Sequence, residues 1–350
     1  MTRVFSINSA APEAVILRIA ADALRRGDLV SFPTETVYGL GANALDAEAV
    51  ARIFIAKGRP PNDPIIVHIH DLAQFYLVAQ HPSAVALRLA ERFWPGALTL
   101  VLKRRPLIPA NVSAGLDTVA VRMPSGSIIR ALLKAAQIPI AAPSANTFSR
   151  PSATTAAHVL EDLDGKIDYL LDGGAAEMGL ESTVLDLTGE VPTVLRPGAI
   201  TIEELRIVIP DVAHKQQMID TDESASAPGM LIKHYSPRAP LMFYDGERSS
   251  VLARMVDDLR RYRGERKQVG VLAFDGDAGD FLNSDAVLKL LGEEARLEDV
   301  AASLFAAMRS LDAAGVDVIL VRAPLRDGLG AAIYDRLLRA AEGQVIRVES

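Results

Sequence analysis

Residues 210–239 interrupt this 350-residue chain with a stretch that a single compact domain would not accommodate. The segment is polar and rich in small residues and prolines, and it has no sustained hydrophobic periodicity. A structureless loop of this length is uncommon inside a compact domain. The stretch therefore predicts an interdomain linker, with one domain at residues 1–209 and a second at residues 240–350.

The regions on either side of this linker have different secondary-structure patterns. Before it, amphipathic helices and short apolar strands follow one another without a regular strand–helix–strand repeat, which predicts a mixed sheet. Local signals there include Asp46 as a helix N-cap and a hairpin in "STVLDLTGEVPTVLR". After the linker, strands and helices alternate, which predicts a small α/β domain with a mostly parallel sheet. Both domains are thus expected to be of the α/β class.

Composition restricts the kinds of partner. The formal net charge of −7 means that any anion site must be a local basic patch on an acidic body. The chain has no cysteine, which excludes disulfides, thiolate zinc sites and cysteine nucleophiles. The first residues, "MTRVFSINSAAPEAV", lack the apolar core of a signal peptide, and the longest apolar runs are too short to span a bilayer. We therefore expect a cytoplasmic location and no membrane association.

The stretch "KGRPPNDPIIVHIH", residues 57–70, has more helix-breaking residues than the end of a helix needs. Lys57 and Arg59 flank Gly58 just beyond a helical pattern, and three prolines stiffen the exit into a strand. Arginine offers phosphate a planar fork and lysine offers a point charge, so a rigid cationic corner suits a polyphosphate. Ordinary cations that complement the C-terminal end of a helix are the alternative explanation.

Two polar loops follow other predicted strands. The loop "APSANTFSRPS" supplies hydroxyls and an amide at a strand end, where α/β sheets place ligands. The loop "SFPTETVYGLGAN" places Thr34 and Thr36 before glycines that allow the backbone to approach a ligand. This second loop is neither a GxGxxG nor a Walker motif. For the first loop, an ordinary polar turn is the alternative to ligand binding. The candidate residues of that first loop are Ser144, Asn146, Ser149 and Ser152.

Charged and polar residues also interrupt apolar strand patterns. Arg122 in "TVAVRMPS" needs a partner, because burying a lone charge is costly, and a structural salt bridge is an alternative to ligand binding. For His68 the alternative to ligand binding is a strand histidine with a satisfied hydrogen bond. His68 and His70 lie on one face of a strand, but no third ligand is near, so we expect no zinc site. Further candidates are Ser182, Thr183 and Arg196.

Taken in order, these segments resemble the YrdC-like threonylcarbamoyl-AMP synthase family, in its long two-domain form. The resemblance extends from about residue 28 to about residue 340 and includes the linker. Each piece is a weak signal alone, and together they are specific. The matching pieces are "SFPTETVYGLGANAL", "KGRPPNDPIIVHI", "TVAVRMPS", "PIAAPSAN", "ESTVLDL", "LRPGAI", "SAPGMLIKHYSPRAPL" and "GLGAAIYDRLLRAA".

The resemblance implies a fold and a reaction. It implies a twisted YrdC-like mixed sheet with helices, followed by the long linker and a small Rossmann-like α/β domain. The activity is that of a nucleotidyltransferase, which converts L-threonine, bicarbonate or CO2, and ATP with Mg2+ into threonylcarbamoyl-AMP and pyrophosphate. A tRNA threonylcarbamoyl transferase complex would then use the product to modify adenosine 37 of tRNA.

The resemblance also implies residue roles. Lys57 and Arg59 would neutralise charge during catalysis, and the fork of Arg122 would match the threonine carboxylate. No dedicated general base is identified. The expected ATP site comprises Lys57, Arg59, Asp63, Thr118, Ser144, Asn146, Ser152, Arg196 and Tyr235. The expected L-threonine site comprises Thr36, His68, Arg122, the backbone of Ala142, and Ser182.

The linker is predicted to act as a lid. Passive tethers are rich in glycine and serine or in charge, whereas "SAPGMLIKHYSPRAP" contains several large apolar side chains. The resemblance implies that this segment crosses the mouth of the catalytic cavity with Tyr235 near the nucleotide. The C-terminal domain would then anchor the lid.

Two other functions stay open from the sequence. A basic concave sheet could bind double-stranded RNA or tRNA through phosphate contacts, at least weakly. Its cations would be Arg59, Lys103, Arg104, Arg105, Arg122, Arg150 and Arg196. A carbamoyltransferase that uses carbamoyl phosphate is the other alternative.

Overall fold

The computed structural model describes residues 1–214 and 234–349, which divide into two compact units. The first unit contains the described residues 1–148 and 152–214. The second contains residues 149–151 and 234–349. Most of the predicted linker, including Met230, Leu231 and Ile232, lies outside the described residues. The predicted boundaries at 209/210 and 239/240, and the lid, therefore stay predictions.

The first unit combines strands and helices in an irregular order. Its strands are β1 Arg3–Ser6, β2 Val30–Pro33, β3 Tyr38–Asn43, β4 Ile66–His68, β5 Leu98–Lys103, β6 Thr118–Arg122, β7 Ile140–Ala141, β8 Tyr169–Asp172, β9 Thr183–Asp186, β10 Thr193–Arg196 and β11 Ala213–His214. Its helices are α1 Ala14–Arg25, α2 Ala47–Lys57, α3 Leu72–Val78, α4 Ala84–Phe93, α5 Ser127–Ala136, α6 Ala156–Leu163 and α7 Ile202–Val208.

These strands form one mixed sheet, in the order β1-β8-β2-β3-β7-β4-β6-β5-β9-β10-β11. β4 pairs parallel with β6 and antiparallel with β7, and β5 runs antiparallel to β6. The predicted hairpin is present as the antiparallel pair β9 and β10. The predicted N-cap is also confirmed, because the Asp46 carboxylate accepts from the amides of Glu48 and Ala49 at the start of α2.

The sheet buries its two faces differently. One large apolar cluster joins Val67, Val121 and Leu185 of the sheet to α2, α3, α4, α6 and α7. A second cluster packs α1 and α5 against strands that include β2 and β8. Because side chains alternate along a strand, Ile66 and Ala120 point away from the first cluster and belong to a small third one. His68, Thr118 and Arg122 point to the same face of the sheet as this third cluster.

The second unit is a parallel α/β sheet. Its strands are β12 Leu241–Gly246, β13 Val269–Ala273, β14 Val287–Leu290, β15 Val318–Arg322 and β16 Ile346–Val348. Its helices are α8 Arg248–Gly264, α9 Leu297–Ala313 and α10 Gly330–Ala340. The strand order is β14-β13-β15-β12-β16, and every pair is parallel. The regular alternation in the sequence predicted this arrangement, because parallel neighbours need crossover connections.

Among the described residues, no helix combines the length and the apolar character that are needed to cross a lipid bilayer.

Candidate active site

Three neighbouring strands, β7, β4 and β6, bring the candidate residues to two ends of one strip of sheet. His68 of β4 pairs with Arg122 of β6 and with Ile140 of β7. At the other end, β6 begins at Thr118, and Ser144 follows the end of β7. The ends are about 13 Å apart, at roughly 3.3 Å per residue along β6.

Lys57 organises the first end. It is the last residue of α2, and Gly58 ends that helix in the left-handed conformation that favours glycine. The Lys57 side chain is only 2% exposed, and its Nζ donates to the carbonyl of Ser144 at 2.6 Å and to that of Asn146. The amide of Phe148 donates back to the carbonyl of Lys57. The predicted cationic corner and the predicted "APSAN" loop therefore meet.

Arg59 and Asp63 form a buried ion pair beside this lysine. The Nη2 of Arg59 lies 2.8 Å from the Asp63 carboxylate, and the Arg59 guanidinium also donates to the carbonyls of Asp63 and Pro64. These contacts close the turn that the prolines stiffen. Thr118 is the first residue of β6, the strand that pairs with β4, so it lies four residues from Arg122 toward the same end.

Arg122 is the centre of the second end, and its guanidinium has three kinds of partner. Nε donates to the Gly96 carbonyl at 3.1 Å, and Nη1 donates to Oγ1 of Thr36 at 3.0 Å. Nη2 forms an ion pair of 2.6 Å with the Glu35 carboxylate. The salt bridge that sequence reasoning kept as an alternative for Arg122 is therefore present, and Thr36 lies within the same group.

Glu35 was missed by sequence reasoning. Its buried carboxylate accepts from the amides of Ser125 and Gly126, in addition to pairing with Arg122. Burial raises the pKa of Glu35, but the Arg122 charge and the Ser125 amide outweigh it and lower the pKa to about 2. The available signal was an acidic residue between two threonines in a loop next to an apolar strand, opposite an arginine that needed a partner.

His68 is held neutral beside this pair. Burial and the charge of Arg122 lower its pKa to about 3, although Glu35 acts in the opposite direction. Among the residues that the structure describes, Nδ1 of His68 has no hydrogen-bond partner. A neutral imidazole nitrogen can accept a hydrogen bond, which suits a ligand that carries an ammonium or a hydroxyl.

Ser182 and Arg196 extend the second end. The Oγ of Ser182 lies 2.8 Å from Oγ1 of Thr99, and the Arg196 guanidinium donates to both the carbonyl and the hydroxyl of Ser182. The hydroxyl of Ser152 donates to the carboxylate of Glu181, the residue that precedes Ser182 in the sequence. Two residues that were predicted for ATP, Arg196 and Ser152, thus contact the segment that carries a residue predicted for threonine.

The two remaining predicted residues are Ala142 and Tyr235. The amide of Ala142 donates to the carbonyl of Ile66, so a ligand contact at that backbone would use the Ala142 carbonyl. Tyr235 belongs to the second unit, where its buried ring stacks on Phe305 with centroids 5.3 Å apart. Its predicted contact with ATP stays a prediction.

Most cations of the RNA-binding hypothesis have protein partners. Lys103 forms an ion pair with Asp117, and Arg104 donates to the carbonyls of Leu116 and Ile108. Arg59, Arg122 and Arg196 are buried in the contacts described above. Arg59, Arg122 and Arg196 are therefore withdrawn from solvent, whereas Lys103 and Arg105 are exposed and remain available for phosphate contacts.

Two protein-family models together match most of this chain. The Sua5_yciO_yrdC family, described as "Telomere recombination", matches residues 22–198, and the family described as "Threonylcarbamoyl-AMP synthase, C-terminal domain" matches residues 200–342. The threonylcarbamoyl-AMP synthase of Pyrococcus abyssi is 45% identical over 333 residues, covering 95% of this chain and 96% of that protein. This chain belongs to the threonylcarbamoyl-AMP synthase family.

Other members of the family agree over both units. The threonylcarbamoyl-AMP synthase of Bacillus subtilis is 44% identical over 329 residues, covering 94% of this chain and 93% of that protein. A crystal structure of Pyrococcus abyssi Sua5 complexed with L-threonine has a TM-score of 0.93 at 43% identity, and covers 99% of this chain and 100% of that one. The predicted two-domain resemblance, the α/β fold class and the nucleotidyltransferase class are confirmed. The individual residue roles stay predictions.

Proposed function

We propose that this chain condenses L-threonine, CO2 or bicarbonate, and ATP into L-threonylcarbamoyladenylate, and releases pyrophosphate. The observation that carries the proposal is the pairing of β4 with β6. It sets His68 beside Arg122, which contacts Thr36, at one end of the strip. Lys57, Arg59 and Asp63 lie toward the other end, where they contact Ser144 and Pro64. Two substrates bound at these ends would meet over Ile66 and Ala120.

The Lys57 end suits the phosphates of ATP. Two carbonyl oxygens orient the ammonium of Lys57 without carrying a negative charge themselves. A buried cation that is held in a fixed direction stabilises developing negative charge more than a solvated one, because little reorganisation accompanies the reaction. Ser144, Asn146 and Thr118 supply polar groups at the same end, and we assign them to the nucleotide.

The Arg122 end suits an amino acid. The guanidinium presents donors to a carboxylate, while Nδ1 of His68 and the carbonyl of Ala142 can accept from an ammonium or a hydroxyl. Ser182 and Thr36 add hydroxyls on either side. Glu35 holds Arg122 in place through their ion pair.

The chemistry needs positioning more than a covalent intermediate. The threonine amine attacks CO2 and loses a proton to give a carbamate, and a carbamate oxygen then attacks the α-phosphorus while pyrophosphate leaves. The apolar floor of Ile66, Ala120 and Val184 would limit water near the unstable carbamate.

Magnesium fits as part of the MgATP substrate. In the described residues, no group of three or more acidic or histidine side chains is arranged to hold a metal. Mg2+ commonly binds through substrate phosphates with only one or two protein carboxylates. We propose that the ion arrives with ATP, and that Lys57 and Arg59 act beside it.

The product defines the cellular setting. An acyl adenylate is an activated group, so a second enzyme must accept its threonylcarbamoyl moiety. We propose that a tRNA threonylcarbamoyl transferase complex takes it for adenosine 37 of tRNA, and that this chain works in the cytoplasm beside that complex.

Pyrophosphate release tests the proposal. Purified protein with ATP and Mg2+ should release pyrophosphate only when threonine and bicarbonate are both present, and mass spectrometry should detect threonylcarbamoyladenylate. Serine should be a poorer substrate, because losing one methyl contact is worth about 1–3 kcal/mol. Pyrophosphate release that does not depend on threonine, or that carbamoyl phosphate triggers instead, would overturn the proposal.

A further inference from the structure

The second unit contains a cavity of about 290 Å³ at the carboxyl ends of β12 and β15. The proposed reaction uses no residue of this cavity. Its lining combines the end of β12 and the start of α8 with the end of β15 and the loop that follows it. The charged residues that line it are Asp245, Arg248, Glu294, Arg322 and Arg326.

The strand order explains why a cavity forms there. β12 and β15 are neighbours, but α8 leads from β12 to β13, beyond β15, while α10 leads from β15 to β16, beyond β12. Tyr244 of β12 packs in the cluster that contains α8, and the adjacent Phe243 contacts Tyr334 of α10. The two connections therefore leave on opposite faces. Such a divergence opens the crevice in which α/β sheets bind ligands.

Buried ion pairs make the base of the cavity rigid. Arg322 lies 2.6 Å from the Asp277 carboxylate, and donates to both oxygens of Glu294 at 2.9 and 2.6 Å. The amide of Leu325 also donates to Glu294. Arg322 and Asp277 are both buried. This base fixes the loop that carries Arg326 and pairs the charges of Arg322, Asp277 and Glu294 with one another.

The rim of the cavity differs from its base, because the rim arginines form hydrogen bonds with only some of their guanidinium nitrogens. Arg248 and Arg326 are 54% and 57% exposed, and they come from different elements, the first residue of α8 and the loop that follows β15. Arg248 binds Asp277 through Nε and Nη2, and Arg326 binds Asp245 through Nη2. Within residues 1–214 and 234–349, the Nη1 of each arginine has no hydrogen-bond partner.

The charges of the cavity select the class of ligand. Three arginines face Asp245, Asp277 and Glu294, so the group as a whole is neutral. A phosphate dianion would leave it negative, whereas a ligand with one charge of each sign keeps it balanced. The Arg326–Asp245 pair is only partly buried, and Tyr334 contacts both partners, so a zwitterion that replaces both charges can open it.

We propose that this cavity binds a free α-amino acid. Its carboxylate would pair with Arg248 and Arg326, and its ammonium would pair with Asp245. A volume near 290 Å³ leaves room for a side chain, which would lie against Leu325 and Pro324. The site is separate from the candidate threonine site of the first unit and does not depend on the proposed function.

The absence of cysteine allows a local probe in the full-length protein. Leu325 lines the cavity and is 65% exposed, so Leu325→Cys can carry a small environment-sensitive fluorophore. Leu282→Cys, at a position 69% exposed and outside the cavity lining, is the matched control. Each common L-amino acid is titrated against both labelled proteins. Four further compounds are titrated as controls. Acetate has the carboxylate without the ammonium, and glycinamide has the ammonium without the carboxylate. Inorganic phosphate and AMP test whether the cavity binds a phosphate instead.

At least one amino acid other than threonine should give a saturable change with the Leu325→Cys label alone. Arg326→Gln or Asp245→Asn should weaken that response about tenfold, the loss of one charge-assisted contact, whereas Arg260→Gln on an exposed part of α8 should not. The proposal is overturned if no amino acid responds, if acetate or glycinamide responds as well as the amino acid, or if only phosphate or AMP responds. None of these outcomes depends on threonylcarbamoyladenylate formation.

Discussion

The Nη2 of Arg122 lies 2.6 Å from the Oε1 of Glu35, and both side chains are almost completely buried. Removing one partner of a buried pair leaves an uncompensated charge, which is the costly state. The same arginine is the proposed partner of the threonine carboxylate. Glu35 and the substrate would therefore act on one guanidinium, which makes the roles of Arg122 separable by experiment.

Glu35→Gln should destabilise the first unit by about 3–5 kcal/mol, because Arg122 loses its charge partner. Saturating threonine should restore more stability to this variant than to the unmodified protein, since its carboxylate then supplies the missing charge. Urea unfolding with and without threonine measures both effects through Trp94, the single tryptophan of the chain. Equal stabilisation by threonine in the two proteins would mean that Arg122 has only a structural role.

Lys57→Met should abolish most ATP use and loosen residues 144–146, because one ammonium both faces the nucleotide site and ties their carbonyls to α2. The loss of one hydrogen bond to a charged group is worth about 1.5–3 kcal/mol. Pyrophosphate release and amide hydrogen exchange provide the two readouts. Lys103→Met is the control, because Lys103 is exposed and pairs with an exposed Asp117. A Lys57→Met protein with normal ATP dependence would contradict the assignment.

His68 should make the first unit sensitive to mild acid. Its pKa falls from 6.5 to about 3 on folding, so between these values the unfolded chain binds the extra proton. The stability contributed by neutral His68 is complete above pH 6.5, and falls by about 1.4 kcal/mol per pH unit as the pH drops. His68→Gln should remove this slope between pH 6 and pH 5 in unfolding experiments that follow Trp94, whereas His81→Gln, at an exposed position, should keep it.

Thr99→Val should raise the threonine KM about five- to tenfold and leave the ATP KM unchanged. The substitution keeps the shape of the side chain but removes the hydroxyl that positions Ser182 at 2.8 Å, a contact worth about 1–1.5 kcal/mol. Thr188→Val, at an exposed turn, is the matched control. An equal rise in both KM values would point to a general disturbance of the sheet.

Secondary-structure elements were easier to predict from the sequence than the partners of buried polar side chains. Asp46, Gly58 and the hairpin at residues 183–196 were predictable, because their signals are local and act within a few residues. The pairing of Arg122 with Glu35 was not, since it joins residues 87 positions apart and depends on the order of strands in the sheet. Thr99 and Glu181 were missed for the same reason, because a buried hydroxyl or carboxylate shows its role only when its neighbour is known.

The position of β4 in the sheet has a consequence for synthesis of the chain. β4 lies between β7 and β6, and both of these strands follow it in the sequence. On a ribosome that adds roughly 5–20 residues per second, "IIVHI" waits about 3–10 seconds for β6 alone. During that interval, a short apolar segment has two unpaired edges and no sheet to join. We expect nascent chains that stop between residues 70 and 118 to be the forms most strongly held by chaperones, and those that stop beyond β10 to be released.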